Sequence, residues 1–151
     1  MNKYILALVL GVISLGTPQV IAQAQDYTDA MTYSGNGMLV QKYRLRIIAE
    51  NLANVSTHMT DTGLPYRKKI PMVVKDEKGV HVQGVVESNA PFGKVYDGSH
   101  IYSKDGYLLI PNFEATDEIV NLSYTNLAYE ANTTVFKSSR QMYINTLELL
   151  K

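Results

Sequence analysis

The hydrophobic pattern of the chain changes period twice. From Met31 to Leu52 a 3-4 spacing runs through Met31, Ser34, Met38, Gln41, Leu45, Ile48 and Leu52. Five of those seven are apolar, which predicts an amphipathic helix with a narrow, coiled-coil-like seam rather than a broad core face. Gly35-Asn36-Gly37 interrupts it, and each glycine costs about 1 kcal/mol relative to alanine inside a helix. Helix is therefore expected from Met38 to Ala53, and the turns before Gly35 are expected to fray or to order only against a partner. Asn54, with Ser56 and Thr57 behind it, is the expected stop, because asparagine tolerates the left-handed C-cap conformation.

Over residues 57–112 the period drops to two. Val80, Val82, Gly84 and Val86 alternate with His81, Gln83, Val85 and Glu87, which predicts a strand. Lys69–Val74 and Tyr107–Ile110 are further strand candidates. Turn residues surround them at Asp61-Thr62-Gly63, Glu77-Lys78-Gly79, Asp97-Gly98 and Asp105-Gly106. Four of the five prolines (Pro65, Pro71, Pro91 and Pro111) lie in this middle, and Pro18 lies near the N-terminus. Neither predicted long helix is therefore interrupted by proline.

The helical period returns at Thr116-Asp117-Glu118, an N-cap followed by acids that suit the positive end of the helix dipole. No Gly or Pro follows before Lys151, which allows a helix of about 50 Å. Its expected seam is Ile119, Leu122, Asn126, Tyr129, Thr133, Phe136, Arg140, Tyr143, Leu147 and Leu150. A second stripe, Val120, Tyr124, Leu127, Ala131, Val135, Met142 and Leu149, runs beside it. One short partner helix cannot cover both flanks. Burying one Leu or Phe contributes about 1.5–3 kcal/mol, so the uncovered flank drives association. The polar seam positions Asn126 and Arg140 are of the kind that fixes register. The pattern as a whole predicts an α+β chain: long N- and C-terminal helices, each with a coiled-coil-like seam, around a small β-rich middle domain.

The first residues read differently. Lys3 and the apolar run Tyr4–Leu15, the helix-breaking Gly16-Thr17-Pro18 and the small-x-small Ala22-Gln23-Ala24 form a secretory leader over residues 1–24. Its apolar run is too short to cross a bilayer, where about 20 residues are needed. The alternative is a buried N-terminal helix. With the leader removed, the working chain is residues 25–151, divided into an N-terminal helix (25–56), a β-rich insert (57–115) and a C-terminal helix (116–151). It would be exported and would not span a membrane.

Composition narrows the function further. With 14 Lys+Arg against 14 Asp+Glu, the formal net charge is zero, which argues against a nucleic-acid partner. No cysteine is present, so disulfide scaffolds, thiolate metal sites and catalytic cysteines are excluded. The three histidines, His58, His81 and His100, are widely spaced, and ordinary loop or strand histidines are expected rather than metal ligands. No serine sits in a G-x-S-x-G elbow. Arg67-Lys68-Lys69 suits a solvated face better than a phosphate site. The sequons at Asn54, Asn121 and Asn132 are read as chance. No catalytic or small-molecule site, cofactor or metal is expected.

Several segments then carry a resemblance. Glu50-Asn51-Leu52-Ala53-Asn54-Val55-Ser56-Thr57 resembles the (S/A)NxANxxT motif of bacterial flagellar rod and hook proteins. Asn126-Leu127-Ala128-Tyr129-Glu130-Ala131-Asn132 resembles their R-x-Y-x-A-N signature, with Asn126 and Leu127 departing from it. In the middle, Pro65–Lys69, Gly84–Ser88 with Pro91, Val95–His100 and Asp105–Asn112 resemble stretches of the basal-body rod proteins of the FlgC type, in the same order. The likeness covers residues 31–151.

The resemblance implies that the long N- and C-terminal helices pair as a coiled coil with the small β-rich middle domain outside it, in a structural, non-enzymatic subunit of the flagellar basal-body (proximal) rod that assembles through those helices into the periplasm-spanning shaft. Its partners would be other rod subunits, further basal-body proteins and copies of itself. Asn51, Leu52, Ala53, Asn54, Tyr129, Glu130, Ala131 and Asn132 would hold the helices and their neighbours, joined by the seam residues Met38, Leu45, Ile48, Leu122, Phe136, Tyr143 and Leu147. For Leu52, Ala53 and Ala131 simple helix packing is nearly the same statement; for Asn51, Asn54 and Asn132 the alternative is a cap or a solvated polar side chain. Rod proteins of this family ordinarily travel by the type III apparatus, whereas a leader implies the general secretory route. Assembly from the periplasmic side, a periplasmic adaptor or binding module reusing the fold outside the flagellum, and initiation at Met31 each accommodate that difference.

Overall fold

The computed structural model describes the backbone of residues 3–77 and 79–148, and side chains from residue 25 onward within those limits, with Ala22. The leader side chains and the predicted stripe and seam positions Leu149 and Leu150 lie outside the described residues. Six elements follow in order: α1 (Lys3–Ala53), β1 (Lys69–Asp76), β2 (Gly79–Glu87), β3 (Gly93–Tyr96), β4 (Tyr107–Ile110) and α2 (Ala115–Glu148). The α+β class and the helix–insert–helix order match the sequence reading.

Two helix boundaries do not. The breaks expected at Gly16-Thr17-Pro18 and before Gly35 are absent, because α1 is continuous from Lys3 to Ala53. Proline and glycine each weaken a helix, but an isolated weak position is bridged by the helix on either side, and the Gly35–Gly37 turn is held by packing on α2, where Gly37 is buried against Asn132. The stop falls at Asn54 as expected, but not through the expected left-handed cap: among the described residues Asp105 is the one non-glycine with positive φ, and hydrogen bonds of Asn54 close the turn instead. Its N–H reaches the carbonyls of Glu50 and Asn51, its Nδ2 donates to Glu50 O at 2.9 Å, and its own carbonyl accepts from Thr57 N–H at 3.0 Å. Thr57 Oγ1 adds a donation to Asn54 Oδ1 at 3.1 Å. Capping thus accounts for the paired Asn54 and Thr57.

The insert is two separate antiparallel hairpins. β1 pairs with β2 from Lys69↔Glu87 to Asp76↔Gly79, with a register shift between Met72 and Val73. β3, which the period-two reading missed, pairs with β4 from Gly93↔Ile110 to Tyr96↔Tyr107. A two-stranded hairpin is marginal in water by itself, and β1–β2 is supported by packing on α1. Gly79 closes its turn at φ +108°, where a Cβ would stand 2.8 Å from Tyr33 Cδ1. Tyr33 in turn donates from its hydroxyl to Glu77 O at 3.2 Å.

The helices lie antiparallel, since Gly37 meets Asn132 at one level and Asn51 meets Glu118 at another. Among the described residues the buried large apolar side chains are few: Val40, Ile47, Ile48, Tyr66 and Leu108. The two largest side chains with less than 2 % exposure are polar, Glu118 and Asn51. The tightest point of the fold is therefore a hydrogen-bonded junction.

Candidate assembly interface

The α1–α2 seam sets which faces remain for partners. Along α2 the inward positions are Glu118, Leu122, Thr125, Tyr129, Asn132, Phe136, Ser139, Tyr143 and Thr146, an unbroken 4-3 repeat. Glu118, Thr125, Ser139 and Thr146 are buried, Leu122, Asn132, Phe136 and Tyr143 are half-buried, and Tyr129 is at the margin, 37% exposed. The sequence pattern had Leu122, Tyr129, Phe136 and Tyr143 on this line. It placed the alternate positions one residue too far along, at Ile119, Asn126, Thr133, Arg140 and Leu147, and of these only Thr133 is not exposed. The cause is size. Two backbones approach closely only over small side chains, and every seventh inward position after Glu118 is Thr, Asn, Ser or Thr, which a hydrophobicity count passes over.

Gly37 shows the same constraint from the α1 side. A Cβ there would lie 2.8–2.9 Å from three atoms of the Asn132 amide. The glycine that weakens α1 locally therefore admits Asn132 across the seam. At the next residue of each helix, Thr133 Oγ1 donates to Tyr129 O at 2.9 Å and stands 3.2 Å from Met38 Sδ.

At the other end of the pair Asn51 uses its whole amide. Its Nδ2 donates to Glu118 Oε2 and to Lys69 O, both at 3.0 Å. Its Oδ1 accepts from Tyr66 Oη at 3.0 Å and from Lys69 N–H at 2.9 Å. Glu118 Oε1 takes Lys68 Nζ at 2.6 Å and Asn121 Nδ2 at 3.3 Å. Burial works against the charged form of Glu118, but the donors from Lys68, Asn51 and Asn121 outweigh it and hold its pKa below the ordinary glutamate range. Burial, then the charges of Glu50, Glu87 and Glu118, push the Tyr66 phenol up to about 12. Lys69 pairs with Glu50 beside the junction. Four parts of the chain meet here: α1, the segment before β1, β1 and α2.

What the seam leaves open is apolar. On the side of α2 turned away from α1, Val120, Tyr124, Leu127 and Ala131 are exposed, Tyr124 and Leu127 at 68% and 62%. Ile119, Val135, Met142 and Leu147 are exposed on the flanks. A contiguous row of exposed apolar side chains of this kind marks an interaction face.

Proteins of known identity match about four-fifths of this chain over nearly their own full length. A flagellar basal-body rod protein FlgC of Borreliella burgdorferi is 30% identical over 146 residues, covering 81% of this chain and 96% of its own length. The Salmonella typhimurium FlgC rod protein is 33% identical over 123 residues, covering 77% and 92%. The chain belongs to the FlgC family of flagellar basal-body rod proteins. An Agrobacterium fabrum FlgC rod protein is also 33% identical, over 132 residues. No family model matches the chain. Membership makes it a structural rod protein and not an enzyme.

The FlgC-like motif residues take separate positions. Asn51 is buried and fully bonded inside the subunit, and Asn54 caps α1, so both are occupied before any partner arrives. Ile48 is buried; Met38, Leu45 and Leu52 are half-buried; Ala53 is exposed. Asn132 lies in the seam, while Glu130, Ala131 and Leu147 are open to solvent. Sequence reasoning did not assign Tyr66, Lys68 or Glu118 to the site. The first-turn acid of α2 was legible, but its inward direction was not. Among the described residues no cluster of three metal-ligating groups occurs and no helix is long and apolar enough to cross a membrane.

Proposed function

We propose that the chain builds the flagellar basal-body rod by packing the outward stripe of α2 against neighbouring subunits, with the antiparallel α1–α2 pair working as a short coiled coil. The exposed line Val120, Tyr124, Leu127 and Ala131 carries this reading. A helix whose seam is satisfied within the subunit has no internal use for a second apolar stripe. Its partners are other rod subunits, further basal-body proteins and copies of itself. The β insert, joined to the helices through Asn51 and Glu118, is carried with them as one body. Met38, Leu45, Leu122, Phe136 and Tyr143 act by holding the helix pair in shape; Glu130, Ala131 and Leu147 meet the neighbours.

Residues 1–24 act as a cleaved leader that delivers residues 25–151 to the periplasm by the general secretory route. The helix register supports this: residue numbers in the facing pairs Gly37–Asn132 and Asn51–Glu118 each total 169, so Glu148 at the end of α2 stands level with about residue 21. Removing the leader takes away only residues 21–24 of the stretch level with α2, its last turn, and leaves the rest of the helix pair intact. Deleting the gene tests the function. The expected result is loss of motility with rods absent from isolated basal bodies; motile cells with intact rods would refute it. N-terminal sequencing of the protein from cells tests the leader, which predicts a start at Gln25.

A further inference from the structure

Besides the α2 stripe, one other surface has the shape to take part in assembly. A groove of about 520 Å³ runs between α1 and β2, walled by Leu39, Tyr43, Val80 and Val82. Leu39 is 65% exposed. Lys42 and Arg46, one helical turn apart and both exposed, form its cationic rim.

We propose that this groove receives the outward stripe of α2 from a second copy of the chain, a step that rests on the assembly function above. The fit is one of chemistry and of faces. The stripe is an apolar ridge of Val120, Tyr124, Leu127 and Ala131, the form a helix needs to lie in an apolar groove. Glu130 is exposed beside Leu127 and Ala131 on the donor, and can meet the Lys42 and Arg46 rim on the acceptor. Groove and stripe belong to different helices, and the stripe is turned away from α1. Each copy can therefore give its stripe to one neighbour and take another in its groove. Contacts between unlike surfaces propagate into open helical assemblies unless the rotation closes a ring.

The absence of cysteine makes the pairing directly testable. The purified double variant Leu39→Cys/Leu127→Cys, oxidised at assembling concentration, should form a ladder of disulfide-linked multimers. A control, Ile101→Cys/Leu127→Cys, should not, since Ile101 is exposed on the β3–β4 connection, away from the groove. Lys42→Glu/Arg46→Glu should lower association by roughly tenfold, and adding Glu130→Lys should restore it, with circular dichroism confirming the fold throughout. Sedimenting multimers without a Leu39–Leu127 ladder, or a charge exchange that fails to restore association, would overturn the groove assignment and leave the rod function standing. Motility with intact rods after gene deletion would remove the function beneath it.

Discussion

Replacing Asn51 with Ala removes a side chain that is 1% exposed and makes four hydrogen bonds. Their net worth is not the main term. A neutral bond contributes only about 1 kcal/mol, whereas a buried group left without its partner costs about 1–3 kcal/mol. The Tyr66 hydroxyl and both backbone groups of Lys69 lose the amide at once. Glu118 keeps Lys68 and Asn121, so its loss is partial. Lys69 is half-buried and can recruit water on one side. The expected destabilisation is about 3–4 kcal/mol, a large share of the roughly 5–15 kcal/mol available to a domain.

Urea unfolding of the full chain followed by circular dichroism measures it. The midpoint should fall sharply while the slope stays constant, because the surface exposed on unfolding is unchanged. Thermal unfolding should drop on the order of 10 °C. The double variant Asn51→Leu/Glu118→Leu should recover part of the loss relative to the single changes, since replacing both partners of a buried bond strands fewer polar groups. A cost under about 1 kcal/mol for Asn51→Ala, or strictly additive effects in the pair, would show that the junction does not hold the helices to the insert.

Two glycines two residues apart should respond with different signs. Gly35→Ala, where a Cβ meets nothing within 4 Å, should stabilise by about 0.5–1 kcal/mol in urea. Gly37→Ala, which forces the Asn132 amide to move, should gain nothing or destabilise, and equal gains at both positions would contradict the close approach. The lowered pKa of Glu118 means that its contribution is complete above the ordinary glutamate value of about 4.3 and is lost as pH falls through the lower folded value. Glu118→Gln should flatten that acid limb of a stability–pH curve. The raised Tyr66 phenol has the opposite sign: its contribution is complete below about pH 10 and declines as pH rises towards about 12, a loss that Tyr66→Phe should abolish in alkaline titration by circular dichroism. Finally, Leu122→Ala and Phe136→Ala on the seam, both half-buried, should each lower stability by about 1–2 kcal/mol, roughly half the cost of a fully buried truncation. Leu127→Asp on the exposed stripe should change stability by less than about 0.5 kcal/mol yet prevent sedimentation of multimers, because it places a charge in the apolar contact; a stable, fully assembling Leu127→Asp protein would refute the division of labour.

Periodicity alone determined a good deal of this protein. The 3-4 and two-residue spacings separated two helices from a β insert, and Asn54 with Thr57 marked the end of α1 because a cap is a local device of neighbouring residues. The stripe Val120, Tyr124, Leu127 and Ala131 was legible for the same reason: apolar side chains left outside are counted as readily as those inside. Only the tertiary structure decided which line of α2 faces α1. The inward positions Thr125, Asn132, Ser139 and Thr146 are polar or small, and they are chosen by the distance between two backbones rather than by hydrophobicity. It likewise decided the role of Gly37, whose cost to the helix is local while its use depends on Asn132, 95 residues along the chain. The junction at Asn51 was beyond the reach of sequence reading for that reason. Its partners Tyr66, Lys69 and Glu118 lie 15, 18 and 67 residues away, and a hydrogen-bond network over such separations has no period to read.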